Sequence, residues 1–415
     1  MLHVLRQRNF ALLWLAGLIS VAGDFALVIA LPLHVYRETN STIATAAIFA
    51  ARFVPSILIG SVAGVFVDRW DRKRTMIWAD LLRALTVLLL VLAISADLLA
   101  IVFLVAAIQG SIGLFFDPAE SALLPLLVGE EHLVTANALN ALNNNLGRLI
   151  GPAIGAWLYS AGGLDNVAVV DALTYVASAT LIALIVAPSR TVQRDRAPEQ
   201  PLVRGLLGEW KEGLGIVRRS RPLRVIFCSA ILAYISEGAF VTLALAPFVL
   251  DVLGGTDAQV GWISSAQAVG GLIAGVVVAH YGSRFTKRWL LGGGMIGIGL
   301  ADIAQFNARR VTGPGTPAVS FAMGCMVLAG FPAVALGTGG QSLMQNLTED
   351  HYRGRVFGAM TAVQGAALLI GLPIAGVLGE TIGIVPVLTA GAAMWLVGGL
   401  VVLRFLKPGV GENAP

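Results

Sequence analysis

Apolar residues run through this chain in twelve stretches, at roughly 10–36, 43–67, 75–96, 99–124, 136–161, 167–187, 224–250, 259–280, 289–306, 318–343, 357–379 and 384–406. Each approaches or exceeds the roughly 20 residues that a helix needs to cross a bilayer. The breaks between them are short and polar, so the pattern predicts an all-α polytopic membrane protein with twelve transmembrane helices. An even number of crossings places both termini on one side. The first stretch is too long for a signal peptide, holds Asp24 and lacks a cleavage-like end, so it is expected to be the first span.

The two halves echo one another. Leu149-Ile150-Gly151-Pro152-Ala153-Ile154-Gly155 returns as Leu369-Ile370-Gly371-Leu372-Pro373-Ile374-Ala375-Gly376, and Gly64-x-x-x-Asp68-Arg69 returns as Gly275-x-x-x-Ala279-His280. A lone carboxylate also precedes a proline in each half, Asp24 before Pro32 and Glu237 before Pro247. Such repetition predicts two pseudo-symmetric six-helix bundles with a site between them.

The expected division is a first bundle at 1–187, a linker at 188–223, a second bundle at 224–406 and a tail at 407–415. In the linker, Pro188, Pro198, Pro201 and alternating charges rule out a span. After them Leu206, Leu207, Trp210, Leu214 and Val217 share one helical face, opposite Lys211 and Arg218. That helix either lies flat on the membrane surface or belongs to an ordinary solvated linker.

Composition agrees with lipid as the solvent: 57% of residues are hydrophobic and 13% charged. Two isolated cysteines and five scattered histidines offer neither a disulfide framework nor a metal cluster, so no cofactor is expected. Charge placement sets the orientation. Most of the 28 Lys and Arg fall in segments on the side of the termini, whereas the opposite loops hold only Arg37, Arg309 and Arg310. The positive-inside rule therefore predicts cytoplasmic termini. Asn40-Ser41-Thr42 matches a glycosylation sequon, which its very short loop reduces to coincidence.

Between the second and third spans stands Gly64-x-x-x-Asp68-Arg69-Trp70-Asp71-Arg72-Lys73-Arg74. Here the chain resembles the major facilitator superfamily, whose corresponding loop reads Gly-x-x-x-Asp-Arg-x-Gly-Arg-Arg or Lys; Asp71 departs from it. Arg353-Gly354-Arg355-Val356, Phe116-Asp117-Pro118-Ala119 and Ala79-Asp80-Leu81-Leu82-Arg83-Ala84 resemble the branch holding enterobactin and macrolide exporters. The resemblance covers essentially the whole chain. It implies the major facilitator fold, alternating access around a central cavity, and a bacterial cytoplasmic membrane.

Physically, a carboxylate at Asp68 can pair with arginine and accept hydrogen bonds from a helix start. Gly64, Asp68, Arg69 and Arg72 are thus candidates for a conformational latch. The alternative is that the basic residues only enforce orientation. The second half offers Gly282-Ser283-Arg284 without an aspartate, so the latch would be one-sided.

Charges far from helix ends are costly in lipid, about 3 kcal/mol or more each on insertion scales. Asp24, Arg52, Arg148 and Glu237 are such charges. Asp24 and Arg52 fall at similar depths on either side of one outer loop and are expected to pair. In one reading Asp24 and Glu237 carry protons or touch substrate, with Arg52 loading and unloading Asp24. In the other, Asp24 and Arg52 form a fixed strut. Asp80 and Arg83, one turn apart, are expected to pair and snorkel, and Asp171 with Tyr175 to form a structural bond. Asp302 and Glu380 are expected near the outer surface. Gly151, Pro152 and Gly155, behind Arg148, resemble the glycine-proline signature of exporters, with close packing as the plainer role. Gln267, Gln341 and Gln364 are neutral candidates for a cavity wall, or glue between helices.

No Gly-rich phosphate loop ends in Lys-Ser or Lys-Thr, so ATP hydrolysis by this chain is not expected, and no cluster of nucleophiles or metal ligands suggests an enzyme. The expectation is a proton-coupled exporter of amphipathic small molecules such as drugs or siderophores. Its partners would be the bilayer, the substrate and protons, with no nucleic acid, and it would act as a monomer. A lipid-handling protein or a sensor on the same fold is the alternative.

Overall fold

The computed structural model describes residues 2–67, 69–95, 98–186 and 202–409. Among these residues ten helices are long and apolar enough to cross a membrane. One of the ten, Glu130–Ala183, is two spans in sequence, because the backbone leaves helical geometry at Gly162 and Gly163. Gly163 has φ 70°, a conformation that favours glycine, so the turn between two antiparallel spans is written into this pair. The helix Thr42–Val67 completes twelve spans.

These are α1 (Arg8–Thr39), α2 (Thr42–Val67), α3 (Arg72–Ser95), α4 (Leu99–Val128), α5 and α6 (the parts of Leu133–Ala183 before and after the glycine pair), α7 (Arg221–Ala239), α8 (Asp257–Tyr281), α9 (Lys287–Phe306), α10 (Thr316–Leu347), α11 (Arg353–Ile382) and α12 (Ile384–Phe405). Large apolar side chains such as Trp78, Trp157, Leu300 and Leu328 stand exposed along them. Water would not tolerate that surface on so many helices, and lipid does. The molecule is a multi-pass membrane protein.

The chain divides into two compact units. Unit 1 comprises Met1–Thr39, Ala47–Glu199 and Val260–Ser265. Its core joins Phe10 and Leu13 of α1, Met76 of α3, Phe116 and Leu123 of α4, Leu139 of α5 and Ile182 of α6. Polar side chains fasten α1 where it crosses α5: Trp14 Nε1 donates to the Leu139 carbonyl, and Asn143 Nδ2 to the Trp14 carbonyl. Asn9 exchanges hydrogen bonds with the backbone of Val186, tying the start of α1 to the end of α6.

Unit 2 comprises Asn40–Ala46, Gln200–Gln259 and Ala266–Pro415. Relative to the expected bundles at 1–187 and 224–406, two short segments therefore change sides. Leu223 and Phe227 of α7, Met295 of α9, Leu343 of α10, Val356 of α11 and Trp395 of α12 share its core. After Ala239 the backbone of α7 widens into π turns at Phe240–Ala244 and Phe248–Val252. Pro247, between them, lacks the N–H that a regular helix would use there.

The linker helix is present at Leu202–Arg219 and docks on unit 2. Val217 is buried, Leu214 packs against the core, and Arg355 Nη1 of α11 donates to Glu212 Oε1 at 2.8 Å. Of the apolar face expected there, Leu206 and Leu207 have side chains outside those described.

Candidate functional site

A cluster of buried charge lies inside unit 1. Asp24 of α1 is its centre: the Tyr175 hydroxyl of α6 donates to Oδ1 at 2.5 Å, and Arg83 Nη1 of α3 lies 3.6 Å from Oδ2. Arg83 is 6% exposed and does not snorkel. Its guanidinium sits over the rings of Phe116 and Tyr175, at 5.4 and 5.6 Å from their centroids. Gly113 of α4 makes that position possible, since a Cβ there would fall 2.6 Å from Arg83 Nη2. Gln109 Nε2 holds the Arg83 carbonyl at 3.0 Å.

Two more acids complete the cluster. Asp171 is buried, accepts from Thr174 Oγ1 at 3.2 Å, and packs on Gly23 next to Asp24. Asp80 is fully buried one turn before Arg83, beside Ser178 of α6.

This arrangement corrects the expected pairing of Asp24 with Arg52. Equal depth does not fix rotation about a helix axis, and α1 packs chiefly on the α5 and α6 segment, so its acid turns toward α6 and α3. Arg52 instead lines a small recess with Val28, Pro32 and Phe49. Arg148 is exposed, 5.9 Å from the Phe25 ring centroid. Sequence reasoning left Arg83, Asp80 and Tyr175 out of the site. Their signal was two doublets one turn apart, Asp80 with Arg83 and Asp171 with Tyr175, each in the middle of an apolar run.

The glycine-proline segment of α5 is a packing surface. A Cβ on Gly151 would fall 2.5 Å from the Ala22 carbonyl oxygen, and one on Gly155 2.5 Å from Ala26 Cα. Pro152, between them, lies inside the helix and is itself buried. In unit 2 the echo repeats the contact, with a Cβ on Gly371 falling 2.4 Å from the Ile235 carbonyl oxygen of α7. The internal repeat is thus a repeated helix crossing.

In the loop before α3, Asp68 lies outside the described residues, as does the side-chain environment of Gly64; Arg69 is exposed. Asp71 caps α3, accepting from the Arg74 N–H at 2.7 Å, which explains an aspartate where the superfamily has glycine. Arg72 Nη1 donates to the Ala122 carbonyl of α4, and Lys73 Nζ to the Ala183 and Ile185 carbonyls at the end of α6. Both residues hold other helices of unit 1.

Unit 2 contains a cavity of about 320 Å³ between α7, α9, α10, α11 and α12. Met295, Met344, Met360, Phe357 and Trp395 supply apolar wall, and Gln341, Gln364, Thr361, Ser229 and the Tyr234 hydroxyl are its polar positions. None of its lining residues is charged. Glu237 lies half-buried on α7, near Tyr234 of the cavity wall and near Asp302 of α9. Asp302 lies four residues before α9 ends at Phe306 and is 5% exposed.

Comparison with known proteins covers the same length. A family described as transmembrane secretion effector matches residues 1–414. Macrolide efflux protein A of Streptococcus pyogenes is 27% identical over 386 residues, 91% of this chain and 90% of that protein. Multidrug efflux pump Tap of Mycolicibacterium fortuitum is 26% identical over 383 residues, 90% of each. The inward-facing crystal structure of a bacterial homologue of the iron transporter ferroportin aligns over 98% of this chain and 99% of that one, with TM-score 0.75 and 17% identity. A D-xylose-proton symporter aligns over 98% and 99%, with TM-score 0.71 and 14% identity. These two likenesses concern the fold alone.

Proposed function

Because the chain belongs to the transmembrane secretion effector family of the major facilitator superfamily, and is a secondary transporter, we propose that it exports amphipathic small molecules in exchange for protons. The substrates are drug-like or siderophore-like compounds, moved out of a bacterial cytoplasm by alternating access. The chain acts as a monomer with both termini cytoplasmic. It needs no cofactor beyond the proton gradient and makes or breaks no covalent bond in its substrate.

The observation that carries this reading is the cavity in unit 2. Methionine side chains are flexible and polarisable, so three of them beside the rings of Tyr234, Phe357 and Trp395 can conform to apolar bodies of different shape. The glutamine amides and the Thr361 hydroxyl provide orientation without demanding a particular charge. Efflux activities named for relatives that span nine-tenths of the chain favour the same substrate class. The Asp24–Arg83–Tyr175 cluster supplies the titratable group that proton exchange requires, with Glu237 as a second candidate in unit 2.

Expression in an efflux-deficient bacterial host, with accumulation measured over a panel of macrolides, dyes, biocides and siderophores, tests export. Addition of an exported compound to energised vesicles should then dissipate an imposed pH gradient. Accumulation unchanged across the whole panel would overturn the assignment as an exporter.

The loop carrying Gly64, Asp68, Arg69 and Arg72 is proposed as the conformational latch. Asp68→Asn keeps size and removes charge, so transport should drop at normal expression. Unchanged transport would leave the loop an orienting element.

A further inference from the structure

Asp80 is the acid of this cluster that neither Arg83 nor Tyr175 holds. Its side chain is 0% exposed, and neither carboxyl oxygen reaches hydrogen-bonding geometry with a described partner. Ser178 lies close enough to donate to it, yet the Ser178 hydroxyl is buried and short of that geometry too. Arg83, one turn along α3, has given its Nη1 edge to Asp24, while its Nε is buried without an acceptor among the described residues. A lone buried carboxylate needs partners for several lone pairs and is among the costliest groups to hide. A neutral carboxyl is far cheaper.

We propose that Asp80 is a proton-binding site, and that Arg83 alternates between Asp24 and Asp80 according to which of them carries the proton. This rests on the reading of the chain as a proton-exchanging transporter. In the arrangement seen here Asp80 holds the proton and Arg83 pairs with the Asp24 carboxylate. In the other, the proton has left Asp80 for Asp24, and the guanidinium has turned from Asp24 to the Asp80 carboxylate. One proton and one cation exchange places, so the charge of the cluster is unchanged. The Asp24 side chain, 25% exposed, is the station that trades protons with water, and Asp80 is the inner one.

Every packed helix contributes to the field in which this happens. Asp24 comes from α1, Asp117 and Glu120 from α4, and Asp171, Tyr175 and Ser178 from α6, with Arg52 of α2 acting on Asp171. The acids named here outnumber the arginines, so the cluster favours bound protons, and Asp80, which Arg83 does not hold, is the acid at which a proton relieves the most. The 3.6 Å separation between Arg83 and Asp24 is longer than a tight charge-assisted hydrogen bond, as suits a contact that must break.

The test uses the purified full chain in proteoliposomes. Asp80→Asn copies the protonated side chain, so it should fold and keep substrate counterflow while proton-driven uphill efflux falls to background. Infrared difference spectroscopy gives a second readout without transport. A protonated-carboxyl band should titrate in the wild type, move in Asp80→Glu and vanish in Asp80→Asn. If the wild type moves no protons with substrate, the transport reading itself fails. If the wild type is coupled and Asp80→Asn is equally coupled, or the carboxyl band is absent, Asp80 is not a proton site. Should Asp80→Asn fail to fold, the shift of the band in Asp80→Glu decides alone.

Discussion

The Tyr175 hydroxyl donates to Asp24 Oδ1 at 2.5 Å, joining residues 151 positions apart in sequence. With Arg83 on the other oxygen, the acid at the middle of α1 is held from α6 and α3. An intramembrane carboxylate is affordable only with such partners, and their identity decides what its removal does.

The pairing predicts a specific double-mutant cycle. Asp24→Asn takes away the anion that the buried Arg83 pairs with, at a cost of up to about 3 kcal/mol, the full amount while Asp80 is protonated and less once the guanidinium turns to an ionised Asp80. Adding Arg83→Gln should return about 1–3 kcal/mol of that, whereas adding Arg52→Gln should be additive to within about 0.5 kcal/mol. Thermal unfolding of the five variants in detergent reads both. Coupling of Asp24 to Arg52 in place of Arg83 would contradict the geometry.

Tyr175→Phe removes a single oxygen and leaves the ring over Arg83. Stability should fall by about 1 kcal/mol, the size of one interhelical hydrogen bond. An unchanged melting temperature would mean that water replaces the hydroxyl at Asp24.

Glycines in this fold divide by what stands opposite them. Gly151→Ala and Gly371→Ala each drive a methyl group into the backbone of a neighbouring helix, and backbone cannot yield as a flexible side chain does. Each should cost about 1–3 kcal/mol. Gly358→Ala, on the same α11 but with nothing within 4 Å, should be neutral or stabilise by up to about 1 kcal/mol through helix propensity. Equal melting temperatures for all three would show that the crossings are looser than drawn.

Helix positions were legible because lipid imposes them: a span must be apolar for some 20 residues, and the predicted ends fall within about one turn of the observed ones except at α7, whose regular helix stops at Ala239 while the apolar run continues through the π turns to Val252. The glycine-proline echo was legible as a packing motif for the same reason, since close helix approach admits only small side chains. The partner of Asp24 was not. Depth can be counted along a helix, but which neighbour an acid faces depends on rotation and on which helices pack, and Arg52 and Arg83 could not be separated by counting. Asp80 and Arg83, one turn apart, form a local pair as far as spacing goes. The cleared space over Gly113, which lets Arg83 turn away from Asp80, becomes visible only when α4 is in place.

Orientation is open to labelling. With Cys228 and Cys325 replaced, single cysteines at Thr39 and Thr256 should react with a membrane-impermeant reagent added outside, and one at Ser189 only after permeabilisation. Labelling of Ser189 in sealed cells would reverse the proposed topology.

The cavity in unit 2 makes the sharpest demand on the export reading, because it can be altered without touching a charge. Ala230 of α7 is part of its wall, and Ala230→Phe would fill much of a space of about 320 Å³. Bulky compounds should lose efflux first, with accumulation rising toward that of the host lacking the transporter, and the smallest substrates should be spared longest. Gln364→Leu keeps the volume and removes the amide. It should leave purely apolar compounds unaffected and cost those that hydrogen-bond there about 1–3 kcal/mol, a fall in apparent affinity of roughly 5- to 150-fold. Leu328→Phe, at a side chain 65% exposed on α10, places a phenyl ring at the lipid-facing surface and should change nothing. If Ala230→Phe and Gln364→Leu both export the full panel at wild-type rates, substrate does not pass through this cavity.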